Sequence, residues 1–454
     1  MSNSTEPQLI RGIGFFQATA ANMLEMIGVG VFITIPLLLS KANGPVALFG
    51  WILGAIVALC DGMIWAELGA AMPGTGGSYH YLSEAYGPNR LGRLMSFLFI
   101  WQVIFLAPLS VATGAIGFAQ YLKFLVHNIS FWEEKVIGIA ACALITILLY
   151  RDIRSVGRLS VIMWSVVLAT LAWISIAGLM NFDPHRAFDF APGSLAPSKT
   201  LFWSVGGATL IAMYDFGGYN NVCFFAGEVK RPAVTVPWSI ITSVVVVATL
   251  YLTMNITIIG VVPWREAVLS SSIVSTFMER LYGLRAAQFA TVLILWTTFG
   301  SLFALLLGYS RVPFAAAVEG RFFRNFARLH PTGRFPTFSL VFMGVCSALA
   351  CFLNLEVLIN ALIVIQVLVQ FIAQIIGLFL IRRYRPDIRR PFKMPLFYLT
   401  GSIALVGWLY ILVASGLVYI VGGFALLIIG VVMYMWRAYR VGEWPFEHRR
   451  VLAA

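Results

Sequence analysis

Charged side chains are scarce in this sequence. Of its 454 residues, 11% are Asp, Glu, Lys or Arg and 60% are hydrophobic, whereas soluble domains carry roughly 25% charged residues. A soluble fold of this length would need more polar surface to cover its core. The composition therefore argues strongly against a soluble enzyme and predicts an all-α, polytopic membrane protein.

Motifs for several other functions are missing as well. The five cysteines and five histidines show no metal-ligand spacing, and no Walker-type phosphate loop is present. No His-rich box, Ser/Lys dyad or paired aspartate motif indicates a membrane enzyme. The net charge of +12 is not gathered in a polar stretch long enough to bind nucleic acid. We therefore expect no enzyme activity, cofactor, metal or nucleic-acid partner.

Long apolar runs are abundant. A bilayer-spanning helix needs about 20 mostly apolar residues, and by that measure the chain has about twelve such segments within a single transmembrane domain, residues 1–454. The first run is too long for a signal-peptide core and is expected to remain as a membrane helix. The segments are 14–39, 45–71, 92–122, 135–150, 158–180, 201–226, 237–262, 286–317, 337–354, 357–381, 396–415 and 418–437.

The basic residues divide unequally between the two sides of the predicted membrane. If the N-terminus is cytoplasmic, 23 of the 31 Lys and Arg residues lie on the cytoplasmic side, among them Arg151, Arg154 and the cluster at residues 382–393. The positive-inside rule then places both termini in the cytoplasm, for a multi-pass protein of the inner (plasma) membrane. Binding of acidic lipid by that cluster is the alternative explanation.

Two of the apolar segments carry glycine clusters near mid-span. EMIGVGVF covers residues 25–32 and YDFGGYN covers residues 214–220, and the two clusters open successive groups of five segments. Glycine-interrupted segments at matching positions of two halves indicate an inverted-repeat transporter. Unwound backbone can bind a substrate, and the N–H groups that begin a half-helix can bind a carboxylate. Close packing of small residues is the alternative.

These motifs resemble the amino acid–polyamine–organocation transporter family. The similar stretches are IGVGVF at residues 27–32, PGTGGSYHY at 73–81, GYN at 218–220, AGEVKRP at 226–232, SRV at 310–312 and EGR at 319–321. The resemblance implies two inverted repeats, about 14–180 and 201–381, with broken helices 1 and 6, followed by two extra helices at about 396–437. It also implies transport of amino acids or organic amines by alternating access.

The resemblance further implies where substrate binds. Gly28, Val29 and Gly30 would hold a substrate carboxylate. The second glycine cluster would lie across from them. Its residues would surround the substrate amine, and some would act as a gate: Phe216, Gly217, Gly218 and Tyr219.

Features that bear on ion coupling differ from the family pattern. Many sodium-independent members have a lysine in the fifth helix, where this sequence has Val167, so a lysine-based coupling account does not transfer. Ser301 matches a position where sodium-coupled relatives place a ligand hydroxyl.

Carboxylates inside membrane segments are costly and are functional candidates. Glu25 lies three residues before Gly28, with Asn22 on the same helix face. Polyamine permeases of plants and protozoa resemble this sequence at that glutamate. Glu25 could bind a substrate cation or carry the coupling proton; a structural role, bonded to neighbouring hydroxyls or backbone, is the alternative.

Further polar residues are assigned more than one role. Asp215 could bind the substrate amine or cap the broken helix, and Asp61 could serve as scaffold or lie on a proton path. Glu228 and Glu67 are expected near the cytoplasmic face, where they could pair with basic residues and act as a gate. Three glutamines spaced four residues apart on segment ten share one helix face and form a glutamine stripe. They are expected to join helices, and lining the transport pathway is the alternative: Gln366, Gln370 and Gln374.

The sequence as a whole predicts a secondary transporter of amino acids, coupled to protons or working as an exchanger. A polyamine or other organic-amine permease of the same fold is the alternative, and a channel or a substrate sensor is a further one. The expected partners are the small-molecule substrate, the proton and the lipid bilayer. Nothing in the sequence demands a second subunit or fixes an oligomeric state.

Overall fold

The computed structural model describes residues 12–74, 76–126, 128–150, 156–331 and 336–446, with side chains outside the description at 156–163 and 304. Thr75, Arg151 and Arg154, named above, lie outside the described residues. Within these ranges the protein is all-α, apart from two isolated bridge pairs, Ile13 with Val229 and Leu329 with Pro336.

Nineteen α-helices follow one another along the described chain, and four of them are only one or two turns long. The first ten are α1 Phe15–Met26, α2 Gly30–Ala42, α3 Ala47–Ala71, α4 Ser78–Ala85, α5 Leu91–Leu125, α6 Phe131–Leu149, α7 Val156–Met180, α8 Pro184–Ala187, α9 Lys199–Phe216 and α10 Pro232–Val261. The others are α11 Trp264–Ala267, α12 Ile273–Tyr282, α13 Leu284–Tyr309, α14 Arg311–Val318, α15 Thr337–Ala350, α16 Leu355–Gln366, α17 Ala373–Tyr384, α18 Phe397–Ala414 and α19 Leu417–Val441. A π-helical segment, Val367–Ile372, joins α16 to α17.

The predicted apolar segments coincide with helices or helix pairs. In the described chain, seven helical stretches are long and apolar enough to cross a membrane, and the bent pair α1–α2 brings the number to eight. These stretches confirm a polytopic helical membrane protein. The remaining predicted segments correspond to α6, α9 and α15, which are shorter or more polar, and to α7, whose side chains are described only from residue 164 onward. The count of twelve crossings therefore stays a prediction.

Local sequence explains several helix ends. Ser130 caps α6: its hydroxyl accepts a hydrogen bond from the Glu133 N–H, while the Glu133 carboxylate accepts one from the Ser130 N–H at 2.7 Å. This reciprocal pair is a capping box, and it satisfies N–H groups that the helix itself leaves free. Ser198 caps α9 through a single bond, in which its hydroxyl accepts from the Leu201 N–H at 3.1 Å.

The two broken helices lie in the middle of the bundle. Helix α1 packs on α10, α2 packs on α9, and α3 packs on both α9 and α10. Large side chains of α3 fill its contacts without exposure to solvent, including Trp51 and Trp65. The packing of α3 against both partners makes it the scaffold on which the second broken helix rests.

A buried ion pair ties α3 to the connection between α17 and α18. The Glu67 side chain is fully buried and accepts hydrogen bonds from the Arg382 guanidinium and from the Met394 N–H, the latter at 2.9 Å. Arg390 lies 4.0 Å away from the same carboxylate. The expected pairing of Glu67 with basic residues is therefore confirmed, and two arginines of the basic cluster hold a loop in place.

The glutamine stripe joins helices as expected. The Gln102 side-chain N–H donates to the Gln370 carbonyl oxygen at 2.9 Å, linking α5 to the π-helical segment. The Ser78 hydroxyl donates to the side-chain oxygen of Gln374. Both bonds cross between helices, where polar side chains in a membrane find their partners.

Candidate substrate site between two helix breaks

The first break separates α1 from α2, and the two helices meet at a bend of 47°. The Gly28 N–H bonds to the Met26 carbonyl at 3.0 Å, which departs from the α-helical pattern. The Tyr251 hydroxyl donates to that same carbonyl at 2.8 Å. At the other side of the break, α2 begins at Gly30, and the first N–H groups of a helix have no acceptors within it. The carboxylate cradle expected at Gly28, Val29 and Gly30 stays a prediction.

Close contacts fix the residues of the first break. A Cβ on Gly28 would lie 2.9 Å from the Ser301 hydroxyl oxygen on α13. The Val29 side chain points away from that hydroxyl, towards Gly114 and Gly117 on α5. Ser301 therefore lies beside the first break, and its match to a sodium-ligand position stays a prediction.

The second break follows α9. Gly217 ends the helix, Gly218 adopts a φ of +109°, and a short 3₁₀ helix begins at Asn221. A backbone with this φ strongly favours glycine. The same residue touches the other broken helix, because a Cβ on Gly218 would lie 2.5 Å from the Glu25 Cγ.

Hydrogen bonds tie each part of one broken helix to a part of the other. On one side of the breaks, the Asn22 side-chain oxygen accepts from the Val222 N–H at 2.8 Å. On the same side, further from the breaks, the Ile13 N–H donates to the Glu228 carbonyl at 3.1 Å, and the Lys230 N–H donates to the Ile13 carbonyl at 2.8 Å. On the other side, the Thr34 hydroxyl donates to the Asp215 carboxylate at 2.5 Å. The two breaks therefore lie between two linked helix pairs.

The three acids near the breaks differ in their surroundings. Glu25 is partly exposed, and within the described chain it has no hydrogen bond or ion pair. Asp215 and Asp61 are 2% and 1% exposed, and each has one oxygen bonded to a hydroxyl and one without a partner among the described groups. Of these three acids, Glu25 alone is partly exposed and has no hydrogen bond or ion pair within the described chain.

Partly exposed residues of α1 and α13 form a row, called the cleft below, between the first break and one end of the bundle. Helix α1 has a partly exposed face that includes Ala21, Glu25 and Gly28, whereas residues 30–35 of α2 are buried. This face lies towards α13, since a Cβ on Gly28 would lie 2.9 Å from the Ser301 hydroxyl oxygen. One and two turns beyond Ser301, Leu305 is partly exposed and Gly308 faces open space. The cleft therefore opens on the side where α1 begins.

The structure places several predicted residues away from the cleft. The Tyr219 hydroxyl bonds to Asp61 on α3, and Phe216 is fully buried against Trp51 and Tyr251. Asn22 serves as a backbone cap for the second break. Among described groups, the Glu228 side chain has no ion pair.

Sequence reasoning missed three hydroxyl groups that stabilise the breaks. Thr34 lies one helical turn after Gly30, a spacing that could have revealed it. Tyr251 and Thr113, which accepts a hydrogen bond from the Tyr214 hydroxyl at 2.7 Å, come from other helices and leave no local signal.

A polytopic helical bundle with two facing helix breaks and an acid between them belongs to the class of membrane transporters. Residues 13–436 match the family described as amino acid permease. The chain therefore belongs to the amino acid permease family, whose members are transporters and not enzymes.

Curated relatives align over nearly the whole chain. The serine/threonine exchanger SteT of Bacillus subtilis (strain 168) is 26% identical over 412 residues, covering 89% of this chain and 91% of that protein. The branched-chain amino acid permease BcaP of the same organism is 25% identical, covering 95% and 94%. The Asc-type amino acid transporter 1 of Mus musculus is 28% identical, covering 95% and 82%.

Proposed function

We propose that this protein is a secondary active transporter that moves an amino acid across the cytoplasmic membrane by alternating access, with both termini in the cytoplasm. Two inverted repeats, residues 14–180 and 201–381, would provide the two broken helices. The observation that carries the proposal is the contact of Gly218 with Glu25 at the inner end of a cleft. It brings the two breaks together beside a partly exposed acid.

An amino acid has chemistry that complements this site. Its carboxylate would bind the free N–H groups at the start of α2, near Val29 and Gly30, where the helix dipole favours an anion. Its ammonium would bind Glu25, which has no partner among the described residues. Gly28, Gly217 and Gly218 would allow the substrate to approach the backbone closely.

The family and the names of the relatives favour an amino acid substrate. The named relatives include a serine/threonine exchanger and a branched-chain amino acid permease, which suggests a neutral amino acid for this chain. The unpaired Glu25 carboxylate supports a second candidate, a polyamine or another organic amine, because an acid in the cleft can bind a cation without any carboxylate on the substrate.

Counterflow in proteoliposomes tests the proposal. Vesicles loaded with unlabelled serine, leucine, arginine or putrescine are given the same compound with a radiolabel outside, and protein-free vesicles serve as the control. We expect saturable accumulation of labelled serine or leucine. Accumulation of putrescine alone would favour the amine permease. Flux that neither saturates nor shows trans-stimulation would indicate a channel and overturn the proposal.

The coupling ion is tested with the same vesicles. We propose proton coupling or exchange, since the bundle holds three acids near the breaks, and the Ser301 hydroxyl is a single possible sodium ligand. Uptake driven by an imposed proton gradient, without sodium, is the expected result. Uptake that requires a sodium gradient would assign the coupling to Ser301.

A further inference from the structure

A second polar cluster lies behind the second break, away from the cleft. Asp61 is in the middle of α3 and is 1% exposed. Its Oδ2 accepts a hydrogen bond from the Tyr219 hydroxyl at 2.6 Å. Tyr219 directly follows Gly218 and is itself 1% exposed. This bond therefore joins the scaffold helix to the irregular backbone of the break.

Polar atoms without partners surround the same carboxylate. Within the described chain, the Asp61 Oδ1 and the indole N–H groups of Trp65 and Trp408 are all buried and unbonded. Both indoles lie close enough to act on the Asp61 carboxyl. Buried polar atoms rarely lack partners, so one unbonded acceptor beside two unbonded donors marks a site that a small rearrangement or an enclosed water would complete.

The groups facing Asp61 come from every helix packed around it. The second break presents the Tyr219 hydroxyl, and α18 presents the Trp408 indole. Helix α3 itself adds Trp65 and the Cys60 thiol. Helix α10 presents apolar side chains beside the next residue, Gly62: Ile240 and Val244.

Charged groups near this part of the bundle are engaged elsewhere. Glu67, which lies further along α3, is paired with Arg382 near the end of α17. Asp215 of α9 bonds to Thr34 on α2. Asp61 is therefore surrounded by neutral groups, of which three are N–H or O–H donors.

Three neutral donors suit an ionised carboxylate better than a protonated one. An ionised Asp61 can accept from Tyr219, Trp65 and Trp408 at once, whereas a protonated carboxyl is itself a donor and needs an acceptor. Protonation on the free Oδ1 would weaken the bond that Tyr219 makes. The protonation state of the Asp61 carboxyl is thereby linked to the backbone of the second break at Tyr219.

We propose that Asp61 is the binding site of the coupling proton, separate from the substrate site at Glu25, and that Tyr219 transmits its protonation state to the second break. A proton from water adds to Oδ1 when the transporter faces one side, and it returns to water on the other side. Trp408 connects the site to the rest of the bundle, because its ring stacks on Phe371 of the π-helical segment at 4.0 Å. This inference rests on the proposed function.

Two assays on Asp61→Asn separate proton coupling from substrate translocation. Counterflow at equal pH needs no net proton movement, whereas substrate-driven proton flux, followed with a pH dye inside the vesicles, does. We expect Asp61→Asn to keep counterflow and to lose proton flux and gradient-driven uptake. Asp387→Asn, an exposed acid paired with Arg385, is the matched control and should keep all three activities.

Tyr219→Phe tests the positioning role. The variant keeps the ring and removes the donor to Asp61, so gradient-driven uptake should remain but its pH profile should shift by about one unit, the size expected for one hydrogen bond to a charged group. If Asp61→Asn does not yield folded protein, the pH profile of Tyr219→Phe tests the role of Asp61 in proton coupling on its own.

Several results would overturn the inference. They are unchanged proton flux in Asp61→Asn, loss of counterflow in a folded Asp61→Asn protein, and an unshifted pH profile in Tyr219→Phe. Wild-type counterflow without any proton flux would overturn it too while leaving the proposed function intact. Absence of wild-type counterflow with every amino acid would instead remove the proposed function.

Discussion

Gly218 lies against Glu25 so closely that a Cβ on the glycine would be 2.5 Å from the glutamate Cγ and 2.8 Å from its carbonyl carbon. The contact joins two helices that are almost 200 residues apart in sequence. Glu25 lies one residue before the end of α1, and Gly218 lies two residues after the end of α9. The φ of +109° at Gly218 adds a second reason for glycine at this position. The contact therefore fixes the distance between the two breaks.

Gly218→Ala should abolish transport. The methyl group would clash with Glu25 and the backbone would be strained, so the two breaks would be forced apart; strain of this kind alone costs about 1–3 kcal/mol. Counterflow of labelled amino acid measures the effect. Gly422→Ala in α19, where a Cβ meets nothing within 4 Å, is the control, and near-normal transport by Gly218→Ala would contradict the contact.

Glu25→Gln should nearly abolish transport. The change keeps the shape of the side chain and removes the charge that would bind the substrate ammonium or a proton. A lost hydrogen bond between charged groups costs about 1.5–3 kcal/mol, so the apparent KM should rise roughly tenfold to a hundredfold. Uptake kinetics measure it, with Glu25→Asp as the charge-conserving comparison. Wild-type kinetics in Glu25→Gln would remove both functional roles of this residue.

Much of the fold, and part of the site, was predictable from sequence. Apolar runs locate membrane helices because each run must span a fixed thickness of hydrocarbon, and glycines at residues 28–30 and 217–218 locate the breaks because unwound backbone needs them. The direction of each side chain was not predictable. Tyr219 follows Gly218 in sequence, yet its hydroxyl turns to Asp61, because side-chain direction in an irregular segment depends on which distant helix packs there.

Thr34→Val should reduce transport roughly tenfold. The Thr34 hydroxyl is the donor to the buried Asp215 carboxylate, and its removal leaves that carboxylate without a partner among described groups, at a cost of about 1–3 kcal/mol. The bond also joins α2 to α9 on one side of the breaks. Counterflow rates measure the effect, and Thr34→Ser, which keeps the hydroxyl, should restore them. Equal rates in the Val and Ser variants would show that the bond is dispensable.

Glu67→Gln should destabilise the protein without a direct effect on substrate affinity. Arg382 and Arg390 would lose the charge of the buried carboxylate between them, and breaking one partner of such a pair costs about 3 kcal/mol. Thermal unfolding in detergent measures it. Arg383→Gln, an exposed neighbour, should leave the melting temperature unchanged. If Glu67→Gln has the same melting temperature as the wild type, the loop between α17 and α18 is held by other contacts.

Labelling of single cysteines should establish the topology. Leu269, between α11 and α12, is 85% exposed, and Asp387 lies on the loop that holds the basic cluster, with a side chain 61% exposed. In a background where the partly exposed Cys346 is replaced by serine, Leu269→Cys should react with a membrane-impermeant maleimide in intact cells. Asp387→Cys should react only in inside-out vesicles, because the positive-inside rule predicts that the arginine-rich side is cytoplasmic. The reverse pattern would invert the orientation and place the opening of the cleft beside Gly308 on the outside of the cell.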